Sequence, residues 1–294
     1  MSRRNLLLGG SIVFFVVMLA LPALLSLDPN RIDLDAVLVA PSRAHPLGTD
    51  ENGRDELTRL LVGARETLGI GFGGAAIAVA LGAGLGVLAG FRGRATDTLL
   101  MRAVDFMMAI PTLFVILLFT SIVRAGPVQL ILLIGLTGWM PVARLVRGNV
   151  RGLVQAPYIE AARTCGASDW RLMARHLLPN TTNVIFVSAL IQLSRAILTE
   201  ATVSFLGLGI QPPAPTWGNM LIGAQDYLFA SPWLAIAPGL AITGTLLVIA
   251  SLQELPPRAR SARHPRGAAV LTTGGSALQV PPARKDRTAV VRSH

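Results

Sequence analysis

Long apolar runs alternate with polar segments along this chain, and the polar segments differ among themselves in charge. Residues 6–25, 67–90, 106–123, 128–142, 183–208 and 233–252 are predominantly apolar. A helix needs about 20 apolar residues to cross the hydrocarbon core of a bilayer. The pattern therefore predicts an all-α integral membrane protein with about six transmembrane helices. The second run carries Gly69, Gly71, Gly73, Gly74, Gly82, Gly84 and Gly86, and such residues let helices approach closely in lipid. Gly69, Gly71 and Gly74 also fit a Gly-x-Gly-x-x-Gly spacing. No strand precedes them and no βαβ unit follows, so a dinucleotide site is rejected.

The polar segments orient the spans. Arg3 and Arg4 precede the first run, which is too long for a signal-peptide core and has no A-x-A site after it. It is expected to be an uncleaved helix within residues 1–27. Residues 28–66 carry an acidic mixture and are expected outside. Residues 91–105 are positive, and Arg144, Arg147, Arg151, Arg163, Arg171 and Arg175 crowd the next such loop. Arginine-rich loops stay in the cytoplasm, so both termini are expected there. The nearly uncharged loop after residue 208 faces outward, with Trp217, Tyr227 and Trp233 suited to an interfacial belt. Residues 67–252 then form the core. Residues 253–294 are rich in Pro, Arg and Ser, a composition expected to form a disordered cytoplasmic tail.

Composition narrows the class. Hydrophobic residues make up 52% of the chain and charged ones 14%, against about 25% charged in soluble domains. The net charge of +10 comes from arginines between spans, so anionic headgroups explain it better than nucleic acid does. The single cysteine, Cys165, rules out an internal disulfide and a Cys-based zinc site. His45, His176 and His264 are isolated, and no Ser/His/Asp or Cys/His spacing or Walker loop occurs. No catalytic residue, metal site or directly bound cofactor is expected. His45 and Asp50 fit an ordered turn better than a metal site.

Two places remain as candidate sites. The first is 156–179, APYIEAARTCGASDWRLMARHLLP, a basic island between apolar runs. Pro157 suits a first helical turn, Gly166 a left-handed helix end, and Ser168 an N-cap with Asp169 at the positive end of the next helix. That second helix carries Trp170, Met173 and Leu177 as an apolar stripe and should stop at Pro179. The second place is the fifth span, where Arg195 and Glu200 are ionisable groups inside an apolar run. Such groups face a bundle interior or a wet cavity. Five positions apart, they lie about 140° around the helix from one another. Each fits either a translocation path or a brace against a neighbouring helix.

Glu160-Ala161-Ala162, then Gly166, then His176-Leu177-Leu178-Pro179 resembles the EAA loop of ABC importer permeases. His45-Pro46-Leu47-Gly48-Thr49-Asp50, Ser204-Phe205-Leu206-Gly207-Leu208-Gly209 and Gln211-Pro212-Pro213 resemble the dipeptide, oligopeptide and nickel branch of that family. The resemblance implies a MetI-like type-1 ABC permease bundle in a bacterial cytoplasmic membrane. It implies docking on an ATPase through Tyr158, Glu160, Ala161, Ala162, Gly166, Asp169, His176 and Pro179. It also implies a second, different permease subunit, two ATPase subunits that use the ATP, and an extracytoplasmic solute-binding protein. The chain departs from the family after residue 252, where a Gly-Asp-Gly-Leu-Arg-Asp-like run is missing. A secondary transporter driven by an ion gradient, or a membrane scaffold, are the alternatives. Neither would co-purify with an ATPase.

Overall fold

The computed structural model describes residues 3–123 and 126–253. The expected disordered tail lies outside them from residue 254 onward. Among the described residues the regular structure is helical, apart from an isolated bridge between Thr49 and Asp55. Helix α1 spans Arg3–Leu24, α2 Glu56–Arg92, α3 Arg94–Ala109, α4 Thr112–Ile122 and α5 Pro127–Val154. Short helices α6 (Pro157–Thr164), α7 (Asp169–Leu172) and α8 (Leu178–Asn180) follow. Helices α9 (Thr182–Phe205), α10 (Trp217–Gln225) and α11 (Trp233–Gln253) complete the described chain.

Helices α2, α5, α9 and α11 are long and apolar enough to cross a membrane, and α3 with α4 makes a fifth span if counted as one broken helix. The apolar part of α1, Leu8–Pro22, is shorter. Helices α2 and α5 outrun the apolar runs 67–90 and 128–142. Helix α2 has 37 residues, about 55 Å of helix, and it starts inside the polar segment 28–66. Hydropathy marks only the lipid-immersed part of a helix, whereas backbone hydrogen bonding continues beyond it. Asp55 caps this start, its Oδ2 accepting from the Thr58 N–H at 2.8 Å, which satisfies one of the free donors of a helix end.

The expected third span, 106–123, is a break instead of a straight helix. The axes of α3 and α4 differ by 70°. The cause is Pro111, which lacks an N–H and drives the residue before it to extended geometry. Ile110 accordingly has φ −89° and ψ 123°.

Helices α2 and α5 pack along most of their lengths because glycines remove the side chains between them. A Cβ at Gly82 would lie 2.6 Å from the Trp139 carbonyl oxygen, and one at Gly86 2.7 Å from that of Ala143. Those obstacles are backbone, so no rotamer change relieves them. Helix α9 lies against the same α2, where Ile197 fills the space over Gly71.

The bundle has two distinct ends. At one, Trp217 is fully buried; its indole N–H donates to the Leu60 carbonyl at 3.0 Å and its backbone N–H to Thr67 Oγ1 at 3.1 Å. The expected membrane-belt role of Trp217 is thereby corrected: α10, folded where a loop was expected, turns the ring inward. Thr216 and Asn219 form a reciprocal capping box that starts α10. At the other end, α6 and α7 sit on the C-terminal halves of α2 and α5.

Candidate functional site

The segment 156–179 folds as two short helices around a glycine. Pro157 occupies the first position of α6. The helix closes in a Schellman turn: the Gly166 N–H donates to Arg163 at 3.0 Å and the Ala167 N–H to Ala162 at 3.1 Å. Gly166 has φ +79°, a conformation that side chains with a Cβ resist. Ser168 then caps α7, its side chain accepting from the Arg171 N–H.

Pro179 does not stop this second helix. The chain widens into a π turn over Met173–Leu177 and continues as α8 through Pro179. Proline cannot bond the carbonyl four residues back and its ring crowds that carbonyl. The wider turn accommodates it. Asn180 Nδ2 donates to the His176 carbonyl at 2.6 Å.

The buried stripe also differs from the expected one. Ile159, Leu172 and Leu177 are the buried residues, at 1%, 0% and 0% exposure, whereas Trp170 is 74% exposed. The three pack with Val87 and Phe91 of α2 and with Val146 and Val150 of α5 into a separate apolar core. The period of the helix was legible, but neighbouring helices choose which face they cover. On the outward side stand Tyr158, Glu160, Ala161, Gly166 and Asp169, all exposed, while Ala162, His176 and Pro179 are half-buried.

Arginines brace the mount. Asp97 is almost fully buried and takes Arg147 on both oxygens, with the Arg147 Nη2–Oδ2 distance 2.7 Å and Arg151 Nη2 at 3.4 Å. Arg144 pairs with Asp105, and the Arg163 guanidinium lies 5.7 Å from the centre of the Phe91 ring. These contacts tie α3 to α5 and α6 to α2. Arg171 and Arg175 remain exposed.

The second candidate place separates its two members. Glu200 is fully buried. Its Oε1 accepts from Ser204 Oγ at 2.8 Å, and its Oε2 has no hydrogen-bond partner among the described residues. Arg195 is exposed on a cleft of about 360 Å³ between α4, α5 and α9. An arginine at the centre of a spanning helix costs roughly 2.5–3.5 kcal/mol to insert unless it meets water or a partner. Gln192, Arg195 and Thr199 share this cleft with Thr112 and Thr137. Their spacing of three and four residues is one helical face. That polar stripe was the signal for Gln192 and Thr199, which the sequence reading did not single out.

Near the start of α2, His45 Nδ1 and Asp55 Oδ1 are 3.0 Å apart, and Asp50 Oδ2 accepts from Arg54 Nε at 2.7 Å. These pairs knit a turn. Among the described residues no three His, Cys, Asp or Glu side chains converge as metal ligands would.

Comparison with known proteins matches residues 82–260 to the family described as binding-protein-dependent transport system inner membrane component. The chain is 38% identical over 218 residues to the "Glutathione transport system permease protein GsiD" of Pectobacterium atrosepticum, covering 74% of this chain and 72% of that one. It is 37% identical over 231 residues to the "Probable D,D-dipeptide transport system permease protein DdpC" of Escherichia coli, covering 79% and 78%. Among solved structures, an inward-facing MetNI methionine ABC transporter chain superposes with a TM-score of 0.52 at 19% identity, over 67% of this chain and 94% of that one. At that identity the likeness speaks for the fold alone.

Proposed function

This chain belongs to the family of binding-protein-dependent transport system inner membrane components, and from that membership we propose that it forms half of the pathway of an ATP-driven peptide importer. It is a permease subunit, and ATP is hydrolysed on separate subunits. In the proposal its partners are a second, different permease, two ATPases and a solute-binding protein outside. Both termini lie in the cytoplasm, and 156–179 is the contact that the ATPases move.

The observation that carries the coupling is the build of that contact. Its apolar side, Ile159, Leu172 and Leu177, is locked onto α2 and α5, and its polar side is bare. A segment mounted this way passes displacement to the spanning helices instead of absorbing it, since packed interiors do not deform continuously. Glu160 and Asp169 offer the ATPase polar contacts, and Ala161 with Gly166 allows close approach. Peptides are favoured as cargo because glutathione and D,D-dipeptides, named for the two relatives, are both peptidic.

Cys165, the sole cysteine, is exposed in this contact, so the unmodified protein carries its own probe. A membrane-impermeant maleimide should label it in inverted vesicles and not in intact spheroplasts, and bound ATPase should protect it. Labelling from outside would end the docking proposal. Gly166→Asp should lower uptake by at least about tenfold, equivalent to roughly 1.4 kcal/mol of lost docking energy, with insertion intact. Normal uptake in that variant would end it equally.

A further inference from the structure

We propose that Arg195 is the counter-charge for a carboxylate of the substrate as it passes the membrane, within the peptide-importer function proposed above, on which this rests. Arg195 is the fourteenth of the 24 residues of α9, about 20 Å from the helix start at 1.5 Å per residue. That depth is near the middle of a span. The guanidinium makes no ion pair with any described acidic side chain, and Glu200, on the same helix, is buried on another face. A free cation at that depth persists where water and a mobile anion reach it.

The cleft is built to receive such an anion. Gln192 and Thr199 flank Arg195 along α9 and line the cleft with it, as does Thr137 of α5, whose hydroxyl donates to the Leu133 carbonyl at 2.6 Å. Thr112 also lines the cleft and is the first residue of α4. The α3–α4 break therefore brings the positive end of a helix to the same opening, with no side chain capping its free N–H groups. Two independent sources of positive potential converge there. Gly138 makes room for the Gln192 amide beside the cleft: a Cβ at that position would lie 2.1 Å from Gln192 Nε2. A planar carboxylate suits a guanidinium through paired hydrogen bonds, and every peptide with a free C-terminus carries one. A bare divalent cation would be repelled.

The test uses the complete importer, with both permeases, the ATPases and the binding protein, in proteoliposomes. Uptake of radiolabelled dialanine and trialanine is measured at concentrations that saturate the binding protein. Arg195→Gln should reduce the maximal rate about tenfold, a loss typical of one charge-assisted contact, and Arg195→Lys should restore at least half of it. Lysine keeps the charge without the planar fork, so rescue of uptake with thermal stability unchanged in both variants is what separates counter-charge from bracing. Arg195→Gln with unchanged uptake overturns the assignment while leaving the peptide function standing. Arg195→Lys as slow as Arg195→Gln, with both losing thermal stability, makes Arg195 a brace and also overturns it. No uptake of either peptide by the unmodified complex overturns the peptide function, and the carboxylate assignment with it.

Discussion

The two ends of the helical bundle hold together by different means. At the Trp217 end, buried polar groups interlock: Trp217 reaches Leu60 and Thr67, and Asn219 Nδ2 donates to Ile210 and Ala214 at 3.1 and 2.8 Å. Glu200, Thr67 and Thr216 are all fully buried nearby. At the Ile159 end, an apolar plug seats α6 and α7 while the polar groups turn outward. Buried hydrogen bonds are specific, since removing one partner strands the other. An apolar seat leaves its polar face free for another protein. One end therefore fixes the bundle, and the other presents a bare polar face on a rigid base.

The largest expected effect comes from breaking what both ends share, the contact between α2 and α5. Replacing Gly82 and Gly86 together by leucine forces side chains into backbone oxygens 2.6 and 2.7 Å from the added Cβ atoms. Overpacking of one site costs about 1–3 kcal/mol, and here neither site can relax. Little folded protein should survive extraction in mild detergent, as read by size-exclusion profile. A normal profile would mean the helices lie farther apart.

At the Trp217 end, Trp217→Ala should cost about 3–5 kcal/mol, seen as a lower Tm, with uptake falling in proportion. Loss of uptake at unchanged Tm would refute the interlock. Leu172→Ala, at the other end, should cost about 2–5 kcal/mol, and uptake should fall further than Tm does because the loosened seat no longer transmits movement. If the two variants show the same ratio of lost uptake to lost stability, the contrast between the ends fails. The smallest effect is expected for Gly166→Ala. An added Cβ meets nothing within 4 Å, so only the left-handed backbone is strained, by about 1 kcal/mol. Tm should barely move, and protection of Cys165 by the ATPase should weaken.

Much of the segment 156–179 was legible from residues alone. Pro157, Gly166 and Ser168 start, close and restart helices through bonds to residues a few positions away, so no distant partner is needed. The same local chemistry ends α9, where the Gly207 N–H donates to Ser204 and the Leu208 N–H to Val203, both at 3.0 Å. Choosing faces was harder. Trp170 has the right period for burial yet is exposed, and Trp217 looked like an interfacial residue yet is sealed. Arg195 and Glu200 looked alike in sequence, and the neighbours of α9 set one on a cleft and the other in the interior.

By itself the amino-acid order determined the all-helical membrane class, the position of the basic island and its caps, because hydropathy and capping are properties of short stretches. Only the tertiary structure decided which side of each helix is covered, that Pro111 bends the third span by 70°, and that Thr112 of α4, Thr137 of α5 and Arg195 of α9 meet at one cleft. Those outcomes depend on helices far apart in the chain coming close, and close approach is set by side-chain volume on both partners at once.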